Sequence, residues 1–368
     1  MTARTREAVR YSLLVFVGVR LALFVLGLVA AGAIKGLDPV SVPGWRTPPV
    51  TNGWDTVFTA WERFDALWFL RIASAGYRPA DGSAAFFPLF PLLVRAVSFS
   101  LGGRPFAAGM IVANVAFAAA LCILYLLTAV FPSALFFFAP YTEPVFLLFV
   151  LVSFRAARHH AWFVAGVAAG LAALTRSAGV ALAPALAVEA LQQWREGGRS
   201  PLAGLSAALS PFAGVGLYLL YWYAKVGDAL TPIDQQANWQ RSFSWPWATL
   251  FHATRDVVDY AGRPNGGYWL IDWLIVVPVI GAAVYAAIRY RPSFGTYTWA
   301  ALLIPLFYIF PPRPLMSMPR FVLPLFPAMW ALADVTERSR VPRAAVLAVS
   351  AAGLGCLVVL FVNWYYIF

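Results

Sequence analysis

The side chains of this chain that could do chemistry are acids and arginines set beside aromatic rings. Asp65 stands in WERFDALWFLRIASAGY, residues 61–77. If this segment is helical at about 100° per residue, Trp54, Val57, Phe58, Trp61, Phe64, Trp68 and Ile72 form one apolar stripe. Asp65 falls inside that stripe, whereas Glu62 and Arg63 do not. An acid there has two readings. It is either neutralised by a nearby arginine or backbone cap, or it is an active-site acid or base at a membrane surface, where ionisable groups are expensive and often functional.

Further polar steps interrupt apolar runs downstream. In Ala139-Pro140-Tyr141-Thr142-Glu143-Pro144, Glu143 either caps a helix start, where acids are favoured, or touches a substrate hydroxyl. Arg176, in Leu174-Thr175-Arg176-Ser177-Ala178-Gly179, either snorkels to lipid phosphate or holds a ligand phosphate by a charge-assisted fork. Gln235-Gln236-Ala237-Asn238-Trp239-Gln240-Arg241, followed by Trp245 and Trp247, combines amides with indoles. Sugar hydroxyls pair with such amides, and the C–H face of a pyranose stacks on such rings. Arg320 opens a run at Met318-Pro319-Arg320-Phe321, and with Arg176, Arg241, Arg313 and His252 it suggests an electropositive cluster for an anionic headgroup. No phosphate-binding glycine loop, dinucleotide fingerprint, zinc spacing or nucleophile elbow is present. His159, His160 and His252 suggest no metal centre, and Cys122 and Cys356 lie in apolar runs, where a thiol acts as a small hydrophobe.

The elements that must position these groups are membrane helices. Of 368 residues, 61% are hydrophobic and 12% charged, with a mean hydropathy of +0.72. That balance excludes a single soluble core, and apolar runs of roughly 18–25 residues favour helices over a barrel. The pattern predicts an all-α polytopic protein with about eleven spans, near 11–34, 86–102, 105–130, 140–154, 161–175, 178–194, 201–224, 268–288, 293–311, 321–336 and 344–365. Proline-rich runs near 86, 132 and 311 are candidates for re-entrant segments. With the amino terminus in the cytoplasm, Arg104, Arg155, Arg158, Arg195, Arg289, Arg291 and Arg338 fall in short cytoplasmic connections, as the positive-inside rule prefers. The same threading turns the loops at about 35–85 and 225–267 outward, so that one transmembrane domain over residues 1–368 carries its active face outside. The net charge of +11 is scattered between apolar runs, which fits topology and argues against a nucleic-acid partner.

Taken in order, these motifs resemble the membrane mannosyltransferases related to GPI mannosyltransferase II, the PIG-V-like family of the glycosyltransferase C (GT-C) superfamily. The similarity rests on the acidic aromatic segment ending at Ile72-Ala73-Ser74-Ala75-Gly76-Tyr77 and on Phe86-Phe87-Pro88-Leu89-Phe90-Pro91. Tyr141-Thr142-Glu143, the run 174–179, Asn238-Trp239-Gln240-Arg241 and Pro319-Arg320-Phe321-Val322-Leu323-Pro324 follow. The resemblance implies a GT-C architecture with an amphipathic interfacial helix in the first outer loop. It also implies a polyprenyl-phosphate-mannose donor used on the extracytoplasmic face of a bacterial plasma membrane, with a glycolipid or protein hydroxyl as acceptor.

By the same resemblance, Asp65 is the catalytic acid. The paired adjacent acids of some relatives are missing, since Glu62 and Asp65 are three apart, so either could be the base. The expected reaction is inverting transfer, with Asp65 taking the acceptor proton and Arg176 or Arg320 stabilising the departing phosphate. Glu62, Tyr141, Glu143, Gln236, Asn238, Trp239 and Arg241 are the remaining expected substrate contacts. No cofactor or obligatory divalent ion is expected. A transporter or flippase of a lipid-linked sugar, or a non-catalytic subunit of a larger transferase, would share the spans, the aromatics and the basic cluster.

Overall fold

The computed structural model describes residues 3–45, 59–123, 126–197, 200–264 and 266–367. It is mostly helical, and its contacts divide into two compact units. The first comprises Met1–Tyr77, Phe90–Val145 and Ala333–Ile367, and the second Arg78–Leu89 and Phe146–Leu332. Among the described residues, four helices are long and apolar enough to cross a bilayer: Arg10–Ala33, Leu202–Val226, Gly267–Arg289 and Arg343–Val362. A fifth crossing is possible if the bent pair Leu89–Ser100 and Pro105–Leu121 is one broken span. The expected count of eleven is therefore not reached. Most other apolar runs fold into helices of 12 to 16 residues, or about 18–24 Å, short of the roughly 30 Å hydrocarbon core.

In the first unit, helix α1 (Ala3–Ala33) packs along the last helix (Arg343–Val362), which also covers the 3-10 turn Pro132–Phe137. Helix α2 (Asp65–Ala75) and helix α4 (Pro105–Leu121) lie against each other, with helix α3 (Leu89–Ser100) leading into α4. Irregular backbone in an apolar core must find internal partners, and here Arg20 supplies them. Buried within α1, it donates to Asn114 Oδ1 and to the Phe137 carbonyl, both at 2.8 Å. Asn114 in turn donates to the Phe138 carbonyl at 3.0 Å. The Arg20 guanidinium also lies over the rings of Phe16 and Phe117, at 4.9 and 4.6 Å.

Two expectations are corrected here. The runs 86–102 and 105–130 are not two full crossings, and Arg104 between them lines one groove with Trp45 and Ser74 of the first loop segment. The cause is α3, which has only 12 residues and turns 117° into α4, so the two do not make a pair of full crossings. The helix expected throughout 61–77 instead begins at Asp65, while Trp54, Val57 and Phe58 lie outside the described residues. Moreover, α2 is not amphipathic, since every residue from Ala66 to Ala73 is buried.

In the second unit, α5 (Glu143–Arg158, from Phe146 onward), α6 (Trp162–Thr175), α7 (Leu182–Arg195), α8 (Leu202–Ala208) and α9 (Ser210–Val226) precede α10 (Pro246–Asp259), α11 (Gly267–Arg289) and α12 (Pro292–Phe307). The approach of α9 to α6 needs glycine, because a Cβ on Gly214 would meet the Gly170 carbonyl oxygen at 2.4 Å. Small residues permit such close helix packing in membranes. A short antiparallel ladder, Ser242–Phe243 on Tyr308–Ile309, ties the loop before α10 to the end of α12. Glu189, fully buried on α7, accepts from Ser293, Gln193 (2.7 Å) and Arg158 (3.1 Å), and Arg291 adds a bond at 3.3 Å.

Candidate active site

In the first unit, the acidic segment is built around an unusual backbone. Phe64, immediately before Asp65, has φ 52° and ψ −121°, a region that costs a residue with a Cβ about 1–3 kcal/mol. Aromatic packing holds it there: its ring lies 5.6, 5.7 and 5.1 Å from those of Phe361, Trp364 and Tyr366. The turn delivers Asp65 as the first residue of α2, half-buried where its neighbours are buried. A carboxylate in a helix's first turn is favoured by the amides there.

The residues beside Asp65 are committed to structure. Glu62 is fully buried and accepts from the Trp45 indole at 3.2 Å. Arg63 donates to the carbonyls of Val362 (3.0 Å) and Thr59 (2.6 Å), with its guanidinium 4.3 Å from the Trp364 ring. Burial pushes that guanidinium down to about 9, with Glu62 opposing. Tyr141 is buried among Phe69, Phe136 and Phe361 and donates to the Arg63 carbonyl at 3.1 Å. Glu143 is buried in the first turn of α5, where its Oε2 accepts from the Thr142 hydroxyl at 3.3 Å. The expected substrate contacts Glu62, Tyr141 and Glu143 are thus all interior groups. Arg71, wholly buried on α2 and bonded to the Pro43 carbonyl at 3.2 Å, was not singled out from sequence.

In the second unit, three of the expected cations come together. The guanidinium carbons of Arg176, Arg320 and Arg241 lie 4.7, 5.1 and 5.7 Å from the centre of the Phe321 ring. All four residues are half-buried. Arg176 emerges in extended conformation between α6 and the turn Ser177–Ala181. That turn folds back so closely that a Cβ on Gly179 would sit 2.4 Å from Ala173 backbone, which gives the 174–179 motif its glycine. Arg241 is aimed by bonds to the Tyr308 carbonyl (3.3 Å) and the Ser317 hydroxyl (3.5 Å), beside the short ladder.

Arg313 does not join this group. It forms a buried two-bond pair with Asp272 at 2.7 and 2.9 Å. His252 sits exposed on α10 near Asp256, whose carboxyl is raised by burial with His252 opposing. Of the amide and indole group, Asn238 is exposed while Gln236 and Trp239 are half-buried, and the Trp239 ring meets Phe86 at 5.5 Å. Gln235, of the same run but not among the expected substrate contacts, is buried and accepts from the Ala84 amide at 3.1 Å. Tyr218 closes the same corner, its hydroxyl 2.9 and 3.0 Å from the carbonyls of Ala84 and Phe86. The Phe86–Pro91 run is thereby pinned from within this unit up to its Leu89. Among the described residues no group of histidine, cysteine and acid side chains is arranged to hold a metal ion.

No family model matches the chain, and no curated protein does. Among solved structures it is similar to the oligosaccharyltransferase of Archaeoglobus fulgidus, crystallised with zinc and sulfate, at 14% identity and a TM-score of 0.37. The alignment covers 95% of this chain and 53% of that one, so the chain spans about half the length of that protein.

Proposed function

We propose that the chain is a GT-C-type membrane glycosyltransferase that moves mannose from polyprenyl-phosphate mannose to a hydroxyl of a glycolipid or protein on the extracytoplasmic face. The observation that carries this reading is the convergence of Arg176, Arg241 and Arg320 on Phe321. Three guanidiniums gathered around one half-buried ring offer a phosphate several donors in one place. Guanidinium forks match its geometry.

In the proposed reaction the acceptor oxygen attacks the anomeric carbon and its proton passes to the Asp65 carboxylate. The bond from that carbon to the phosphate oxygen breaks, and the pair of electrons leaves with the phosphate. Configuration inverts. The leaving phosphate gains negative charge as the bond breaks, and fixed arginines stabilise that charge most where it is greatest. Asp65 suits the base because it is half-buried at a helix start, whereas Glu62 is sealed in. Gln236, Asn238 and Trp239 are the proposed sugar contacts.

The test is incubation of the purified protein with polyprenyl-phosphate mannose and a membrane lipid extract, with mass spectrometry of whatever gains a hexose. The expected result is a hexose-bearing product, with Asp65→Asn cutting its formation by about 10²–10⁴-fold and leaving donor binding in place. Unchanged transfer by Asp65→Asn would remove the aspartate from the mechanism. Donor movement across vesicles without any product would make the protein a carrier of lipid-linked sugar.

A further inference from the structure

The first unit contains a groove of about 950 Å³, near the top of the roughly 300–1,000 Å³ range of small-ligand sites. Phe24 of α1, Trp61, and Phe106, Met110 and Ile111 of α4 make its walls apolar. Among the described residues that line it, Arg104 alone carries a charge, and it is exposed. Arg104 is also the N-cap residue of α4, a helix of 17 residues; its side chain makes no capping hydrogen bond, and Pro105 at the first position carries no N–H. The Ala108 amide bonds the Arg104 carbonyl, so the amides of Phe106 and Ala107, both lining the groove, carry the helix's positive end there. The turn Gly102-Gly103, with φ 64° and 78°, brings the arginine there.

The surfaces flanking the groove say what medium it meets. α1 has a mean hydropathy of 2.7 over its span and only 22% of that window is buried. Leu21, Val25 and Val29 stand exposed on it, as do Ile111 and Val115 on α4. Hydrocarbon, not water, covers such faces. A ligand entering between α1 and α4 therefore arrives from the lipid phase. A single guanidinium with the two amides of Phe106 and Ala107 suits one phosphodiester charge.

We propose that this groove binds an anionic phospholipid, one acyl chain lying along α1 and α4 and the phosphate at Arg104. The inference stands apart from the transfer reading, since it uses neither Asp65 nor the arginines around Phe321.

The experiment uses full-length protein in mild detergent, native mass spectrometry, and phosphatidylglycerol against phosphatidylcholine with identical chains. Phosphatidylglycerol is expected to be retained about tenfold better, the size of one hydrogen bond to a charged group. Arg104→Gln should bring the two lipids level, and Ala107→Trp, which fills the groove, should remove both. A photoactivatable phosphatidylglycerol should label the peptide spanning 103–111. Equal retention of both lipids, no effect of Arg104→Gln, or labelling confined to other peptides overturns the proposal. So does labelling of that peptide by polyprenyl-phosphate mannose but not by phosphatidylglycerol. Because Arg104 is exposed, its variant remains informative even if Ala107→Trp fails to fold.

Discussion

The second unit gathers arginines in two places, and the two are built on opposite plans. Arg158 and Arg291 close on the buried carboxylate of Glu189, with Ser293 and Gln193 completing its shell. Arg176, Arg241 and Arg320 close on an aromatic face, Phe321. The first gathering takes its anion from the chain itself and joins α5, α7 and the start of α12. The second, in our proposal, takes its anion from substrate. The difference teaches that arginine count says little by itself: one cluster is centred on a buried acid of the chain, the other on a half-buried ring.

The sharpest way to break this contrast is to remove the internal anion. Glu189→Ala leaves two arginines and a serine around a void. It should destabilise the protein by about 3–5 kcal/mol, as loss of one partner of a buried pair does, lowering the midpoint of thermal unfolding in detergent. Arg313→Ala, which strands the buried Asp272, belongs to the same class. If either variant kept full stability, the structural assignment of these clusters would be wrong.

Substitutions at the second gathering should do the reverse. Arg176→Gln and Arg320→Gln are expected to lower kcat by about 10²–10³-fold, the loss typical of one electrostatic stabiliser, with unfolding midpoints little changed. A large drop in stability with kcat intact would make Phe321 the centre of a structural cluster after all. The smallest effect belongs to Phe321→Leu, which removes only the shared ring. Each cation–π contact is worth about 0.5–1 kcal/mol at partly exposed sites, so donor KM should rise by several-fold while kcat holds.

How much of this was legible from the amino acids differs between elements. The spans at 11–34, 268–288 and 344–365 were readable because their apolar runs are unbroken and long, and helices occupy them almost end to end. The run at 86–102 misled because apolarity reports burial and lipid contact alike. Its helix starts only at Leu89, after the Phe86-Phe87-Pro88 lead, and it is too short to cross.

Within the candidate site, Arg176, Arg241 and Arg320 were each visible as charges at run ends, but their shared ring was not, because Phe321 reads as one more apolar residue. Arg313 was grouped with them because nothing in the sequence links it to Asp272, 41 positions earlier. The signals that went unused were Arg20 and Glu189, single charges inside apolar stretches. Such groups demand a partner, and here they hold elements together.

One feature carries further than its neighbourhood suggests. The twisted backbone at Phe64 is propped by rings near the far end of the chain, and Arg63 hangs from the Val362 carbonyl across 299 positions of sequence. The terminal stretch is thus a splint for the loop that carries the acid. Changes at Trp364 or Tyr366, remote in sequence from every group proposed to meet substrate, would let the aspartate swing away from its aim; under the proposed reaction, such a variant is expected to fold, insert and bind donor while turning over poorly.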